Sequence, residues 1–202
     1  LSCGGGTSGV NVAIGLCAMS RIANGATGST SEGSNVAIGN NAMWCATGGN
    51  QNIAVGNKAL AKNNACASYN IAIGCAALYN NTTGSDNISL GRWSLQCNTT
   101  GKGNLAAGLQ TLSNNISGSG NVALGYFSLI NNSSGSSNVA VGLGALCKNT
   151  TGSGNIGLGI GALYNGGSCA NIALGTCAGR HSCGKSNIAI GCCSLGGIQT
   201  AC

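Results

Sequence analysis

Eleven times along this chain an Asn is followed by an apolar residue, a small residue, a second apolar residue and a Gly. The Asn positions are 11, 35, 52, 70, 87, 104, 121, 138, 155, 171 and 187. The ten steps between them are 24, 17, 18, 17, 17, 17, 17, 17, 16 and 16 residues. A period this constant marks a repeat architecture, in which one short unit stacks on copies of itself and buries with its neighbours what it cannot bury alone. Such a chain has few ways to fold.

The segment from Asn121 to Ser137 shows what one unit does. Val122 and Leu124 are two apart, so in an extended strand they share a face, and Ala123 lies on the other. We expect the aliphatic pair to point inward. Gly125 ends the strand where a residue without Cβ can turn sharply. Leu129 restores an inward aliphatic on the return leg, and Asn131 to Gly135 supplies turn chemistry before the next Asn. The return-leg position is filled by Met19, Met43, Leu60, Leu78, Leu95, Leu112, Leu129, Leu146, Leu163 and Leu195, with Gly179 the one break. On this reading each coil offers about three large aliphatics to a thin interior.

A helical repeat is disfavoured, because Gly recurs within every unit and the apolar run is only three residues long. The expected fold is all-β: one parallel β-solenoid, or β-roll, spanning residues 1–202 in about eleven coils of 16–18 residues. At ~4.8 Å per stacked strand it should be roughly 50 Å long. The step of 24 after Asn11 holds extra residues around 21–31, which we read as a loop insertion. The Asn that opens every coil reads as structural, its side chains stacked as an amide ladder.

Charged residues make up only 5% of the chain and aromatics 3%, while Gly contributes 37 residues. Disordered chains lack aliphatics at fixed phase, so the Gly and Asn here belong to turns. The net charge of +6 comes from eight basic residues scattered along the sequence, among them Arg21, Lys58, Arg92 and Lys185. They form no phosphate-tracking run with aromatic platforms, so no nucleic-acid partner is expected. No apolar run approaches the roughly 18 residues of a membrane span.

Catalytic chemistry has little to work with. His181 is the single His, and Glu32 and Asp86 are the only acids. No acid–base pair or nucleophile triad can be drawn from them. We expect no enzyme and no cofactor. Gly4-Gly5-Gly6 precedes no strand–helix unit and is not a phosphate loop. Cys177, His181, Cys183 and Cys192 match no zinc spacing, so disulfide pairing is the expected role of the cysteines and no metal site is assigned.

Thirteen cysteines point to an oxidising compartment. Together with a chain that opens on Leu1, they lead us to expect a processed protein, extracellular or on a cell or virion surface. Cys177 and Cys193 are 16 apart, which should stack them on adjacent coils within disulfide reach, with Cys192 competing for the same partner. The count is odd, and Cys3 and Cys202 near the two ends are candidates for links between subunits.

Two further columns carry open readings. Ala37, Ala54, Ala72, Ala106, Ala123, Ala140, Ala173 and Ala189 would form an outward stripe if the flanking aliphatics point in. That stripe either packs tightly against the coil's own return leg or admits close lateral contact with another chain. Asn81, Asn98, Asn115, Asn132 and Asn149 each open Asn-x-Ser/Thr at one phase of the coil. They read either as a turn ladder or as a partly occupied row of glycans on one edge.

Asn-Val-Ala-Ile-Gly at 11–15 and 35–39, with Asn-Ile-Ala-Ile-Gly at 70–74 and 187–191, resembles the head repeats of YadA-type trimeric adhesins. The unit with Ala-Leu and Asn-Thr-Thr-Gly over 138–152 is also similar to repeats of phage and viral tail-fibre proteins. That resemblance implies a parallel β-roll that commonly trimerises and serves in a surface fibre. The chain departs from it in being rich in Cys and in showing no neck or coiled-coil segment. The expected function is an extracellular structural protein, a disulfide-stapled solenoid self-assembling end to end or also side to side into a filament. Alternatives are an adhesin or tail-fibre head that binds a cell-surface glycan and, further off, an ice-binding protein.

Overall fold

The protein is seen in a computed structural model that describes residues 10–20, 33–46, 49–63, 67–182 and 184–196. The insertion at 21–31 and the terminal Cys3 and Cys202 lie outside the described residues. Eleven three-residue strands follow one another: β1 (Val12–Ile14), β2 (Val36–Ile38), β3 (Ile53–Val55), β4 (Ile71–Ile73), β5 (Ile88–Leu90), β6 (Leu105–Ala107), β7 (Val122–Leu124), β8 (Val139–Val141), β9 (Ile156–Leu158), β10 (Ile172–Leu174) and β11 (Ile188–Ile190). They make one parallel sheet in sequence order, with no helix among the described residues. Coil n carries strand βn.

Register is exact in phase: Ala106 pairs with Ala123, Ala123 with Ala140, and Ala140 with Gly157. Each coil therefore repeats the one before it, as the sequence period requires. The fold is the expected β-solenoid.

The strand faces are reversed from expectation. Ala37, Ala54, Ala72, Ala106, Ala123, Ala140, Ala173 and Ala189 are buried, and the aliphatics on either side of them look outward. The reason is thickness. Across the interior, the return-leg column from Met43 to Leu163 is buried and already fills the gap between sheet and return leg. At Gly157, which takes the Ala position in β9, an added Cβ would stand only 3.4 Å from Leu146 Cγ. A Val or Ile there would have to displace leucine. Small residues at a second inner position, Ala42, Ala59, Ala77, Ala145, Ala162 and Ala178, close the core beside them. From coil 2 to coil 9 one large aliphatic per coil faces inward, not three.

The turns depend on left-handed backbone. Leu60, Leu78, Leu95, Leu112, Leu129, Leu146 and Leu163 all have φ near +50°, unusual for a branched side chain. Bonds between coils hold them there: Leu112 N–H donates to Ser128 O at 3.1 Å and Leu129 N–H to Ala145 O at 3.0 Å. Gly179, the break in the leucine column, has φ +58° and keeps the same turn.

Candidate functional surfaces

Two Asn ladders run through the stack. In the first, each repeat-opening Asn from Asn35 on donates its backbone N–H to Oδ1 of the Asn one coil earlier, and all of these but Asn35 and Asn155 donate Nδ2 to the same oxygen. Asn121 reaches Asn104 Oδ1 at 3.0 and 3.1 Å, and Asn138 reaches Asn121 Oδ1 at 3.0 and 3.1 Å. Nδ2 also holds a turn carbonyl, as in Asn121 to Gly135 O at 2.9 Å. Almost every polar atom of these buried amides is used. The structural reading of this Asn stands.

The second ladder starts at Asn63, to whose Oδ1 Asn81 Nδ2 donates at 3.1 Å, and runs on through the five Asn-x-Ser/Thr residues. Asn81, Asn98, Asn115, Asn132 and Asn149 are fully buried. Asn98 Nδ2 donates to Asn81 Oδ1 at 2.9 Å, Asn115 Nδ2 to Asn98 Oδ1 at 2.7 Å, and Asn132 Nδ2 to Asn115 Oδ1 at 2.9 Å. A glycan attaches through Nδ2, so the folded stack closes these positions to it. Of the two readings, the turn ladder is the one the structure contains. It ends at Asn149 because coil 9 has Gly166 at this phase, and Asn149 Oδ1 is left as a buried acceptor without a donor.

The alanine stripe is likewise lost as a lateral contact surface, because it lies inside the core. In its place the sheet turns two aliphatic columns outward, for example Val122, Val139 and Ile156 in one and Leu124, Val141 and Leu158 in the other. They are half-buried in mid-stack and open at the ends, where Ile188 and Ile190 are 64% and 67% exposed. Tyr126, Leu143 and Ile160 widen the apolar surface just beyond the Gly corner of coils 7 to 9. Parallel sheets are usually covered on both faces, and here no described element covers the outer face.

All nine described cysteines are free. Cys177 and Cys193 do take the same place in coils 10 and 11, each with φ 55°, as the spacing requires. No disulfide joins them. Cys192 Sγ lies 3.6 Å from Cys193 Sγ, against about 2.05 Å for a disulfide bond. The Cys192 thiol, with a smaller contribution from Cys177, raises the Cys193 thiol above its ordinary pKa. The stack is held by hydrogen bonds and packing, and the expectation of disulfide staples at Cys177, Cys192 and Cys193 is not met. Among the described residues, no three of His, Cys, Asp and Glu converge to hold a metal ion.

One cluster went unnoticed in the sequence. Lys148, Tyr164 and Arg180 come from coils 8, 9 and 10. Lys148 Nζ stands 5.6 Å, and Arg180 Cζ 5.2 Å, from the Tyr164 ring centroid. Beside them Asn165 Nδ2 donates to His181 Nδ1 at 2.8 Å. The Cys147 thiol raises the Tyr164 phenol above its ordinary pKa, outweighing the lowering effect of Arg180. The signal was in the chain: these three residues are 16 apart, one coil each, but scattered basic residues show no pattern until the period is applied to them. Comparison with protein-family models, with curated proteins and with solved structures finds no match to this chain.

Proposed function

We propose that this chain is an extracellular structural protein that self-associates into a fibre through its solenoid surface. The observation that carries the proposal is the bare outer sheet face. An apolar face that continues along eleven strands is of the kind that marks interaction surfaces. A second copy fits it: the two outward columns repeat at every coil and contain no charged residue, so their best complement is another face of the same kind.

The stack ends favour growth along the axis. The first ladder is directional: at one end Asn11 Oδ1 accepts from Asn35, and at the other Asn187 Oδ1 meets no donor among the described residues. Among the described residues β1 and β11 each have only one neighbouring strand, and open strand edges recruit further strands. The resemblance to adhesin heads and tail fibres agrees with a surface fibre.

Sedimentation velocity with electron microscopy tests this reading. The wild-type chain is expected as rods or filaments. Val122→Lys with Val139→Lys should return it to a monomer whose far-UV circular dichroism is unchanged. A wild-type chain that stays monomeric at the highest attainable concentration would sink the proposal. The glycan-binding alternative is favoured by one observation, the cation–tyrosine cluster of coils 8 to 10, and a thermal-hysteresis assay disposes of ice binding either way.

A further inference from the structure

We infer that Lys148, Tyr164 and Arg180, with Asn165 and His181 beside them, form a binding site for the sulfate or carboxylate groups of an acidic polysaccharide. The inference stands apart from filament assembly, since it uses neither the apolar face nor the stack ends.

The geometry comes first. Backbone bonds lock the three coils in phase here: Lys148 N–H donates to Tyr164 O at 2.8 Å and Asn165 N–H to Arg180 O at 3.0 Å. The two cations are gathered round one phenol ring, at the distances given above, by attraction to its face. That contact orders a long side chain without neutralising its charge. Arg180 Nη1 also reaches Cys177 Sγ at 3.5 Å, a second tether.

Electrostatics then points outward. No Lys or Arg among the described residues is ion-paired to a carboxylate within 4.0 Å. Asp86, the one described acid, sits at the end of coil 4, well outside this cluster. Two ordered, exposed cations with no internal counter-ion therefore face solvent together. Guanidinium pairs with planar or tetrahedral oxyanions through two parallel N–H bonds, and ammonium acts as a point charge beside it.

The same features choose the polymer. Single-stranded nucleic acid binds by stacking bases on free aromatic faces, whereas the Tyr164 ring is flanked by its two cations. Asn165 and His181 add hydrogen-bonding groups suited to sugar hydroxyls. A linear polysaccharide carrying an anion at intervals can lie along the solenoid axis and meet Lys148 and Arg180 in turn.

The test uses the full chain, below the concentration at which it self-associates, with dextran sulfate and polygalacturonate as probes and neutral dextran and single-stranded DNA as comparators. Titration calorimetry should show binding of at least one acidic polysaccharide, and which of the two binds separates sulfate from carboxylate recognition. K148Q with R180Q should weaken that binding by about tenfold or more, because two charge-assisted contacts are lost. The slope of log affinity against log salt should become less steep by roughly one to two units. K58Q with K102Q removes the same charge from exposed positions elsewhere and should change affinity less than about twofold. If the first double variant melts early, the single Lys148→Glu serves in its place and should abolish binding. Equal losses in both double variants, no binding of either acidic polysaccharide, or tighter binding of DNA than of both would each overturn the inference.

Discussion

At the scale of single residues, the amide of Asn121 shows why every coil opens on Asn. Its Nδ2 gives two bonds, to Asn104 Oδ1 and Gly135 O, and its Oδ1 takes two from Asn138. Only a side chain that both donates and accepts can serve. Asn121→Ala should cost about 3 kcal/mol or more in urea denaturation, since it strands buried partners on both sides. Asn121→Asp makes a sharper test. It keeps the acceptor towards Asn138 but turns an oxygen towards two acceptors, so the folded state needs that carboxyl protonated. Its folded pKa is then raised above the unfolded value of about 3.9. Stability is therefore nearest to wild type below about pH 4 and falls as pH rises through the raised value, by up to about 1.4 kcal/mol per pH unit. A deficit unchanged between pH 3.5 and pH 7 would contradict the ladder's donor pattern. The corner glycines make a second residue-scale case. Gly142 has φ +131°, and an added Cβ would lie 2.6 Å from Gly159 O, whereas Gly191 has φ +108° with nothing within 4 Å. Gly142→Ala should cost several kcal/mol in the same assay, Gly191→Ala only the strain of its backbone, about 1–3 kcal/mol.

At the scale of one coil, the period, the Gly corner, the leucine column and the opening ladder were all legible in the sequence, because each needs one residue type at one phase. Which side of the strand faces inward was not. Alternation by two sorts residues onto two faces and leaves open which face meets the core, and the usual preference of Val and Ile for the interior pointed the wrong way. What decides it is the gap already filled by the return-leg leucine, a property of the closed coil. The Asn-x-Ser/Thr column failed for a related reason, since its phase was right but its burial depends on the turn closing round it. Among the site residues, Lys148, Tyr164 and Arg180 were missed because they are three different residue types, linked only by their spacing of one coil. The reversal makes an unusual prediction for paired substitutions on one strand. Ala123→Val adds two methyls to a full layer and should cost about 1–3 kcal/mol. Val122→Ala trims an outward side chain and should stay within about 1 kcal/mol for the monomer. Thermal melts of the two variants at low concentration check this, and the opposite order would restore the inward-facing aliphatic pair.

At the scale of the whole molecule, contacts are made almost wholly between successive coils, with each strand paired only to its sequence neighbours. Stability in such a stack is close to a sum of equal coil and interface contributions. That makes length adjustable in steps of one coil and in no other step. Deleting residues 121–137 brings Asn138 into the place of Asn121, where Asn104 Oδ1 can receive it, and sets Leu146 where Leu129 stood. Both stack ends and the Lys148–Tyr164–Arg180 cluster are untouched, so self-association and polysaccharide binding should persist. In urea denaturation the m-value should fall by about one eleventh, in proportion to the surface removed. Deleting only residues 121–128 removes a strand and its corner but leaves half a turn, so every later coil would have to shift phase. That shorter deletion should unfold the chain or leave a molten stack, although it removes fewer residues. The comparison isolates the repeat from mere size. If the half-coil deletion were tolerated as well as the full one, phase between coils would not be what holds this solenoid together.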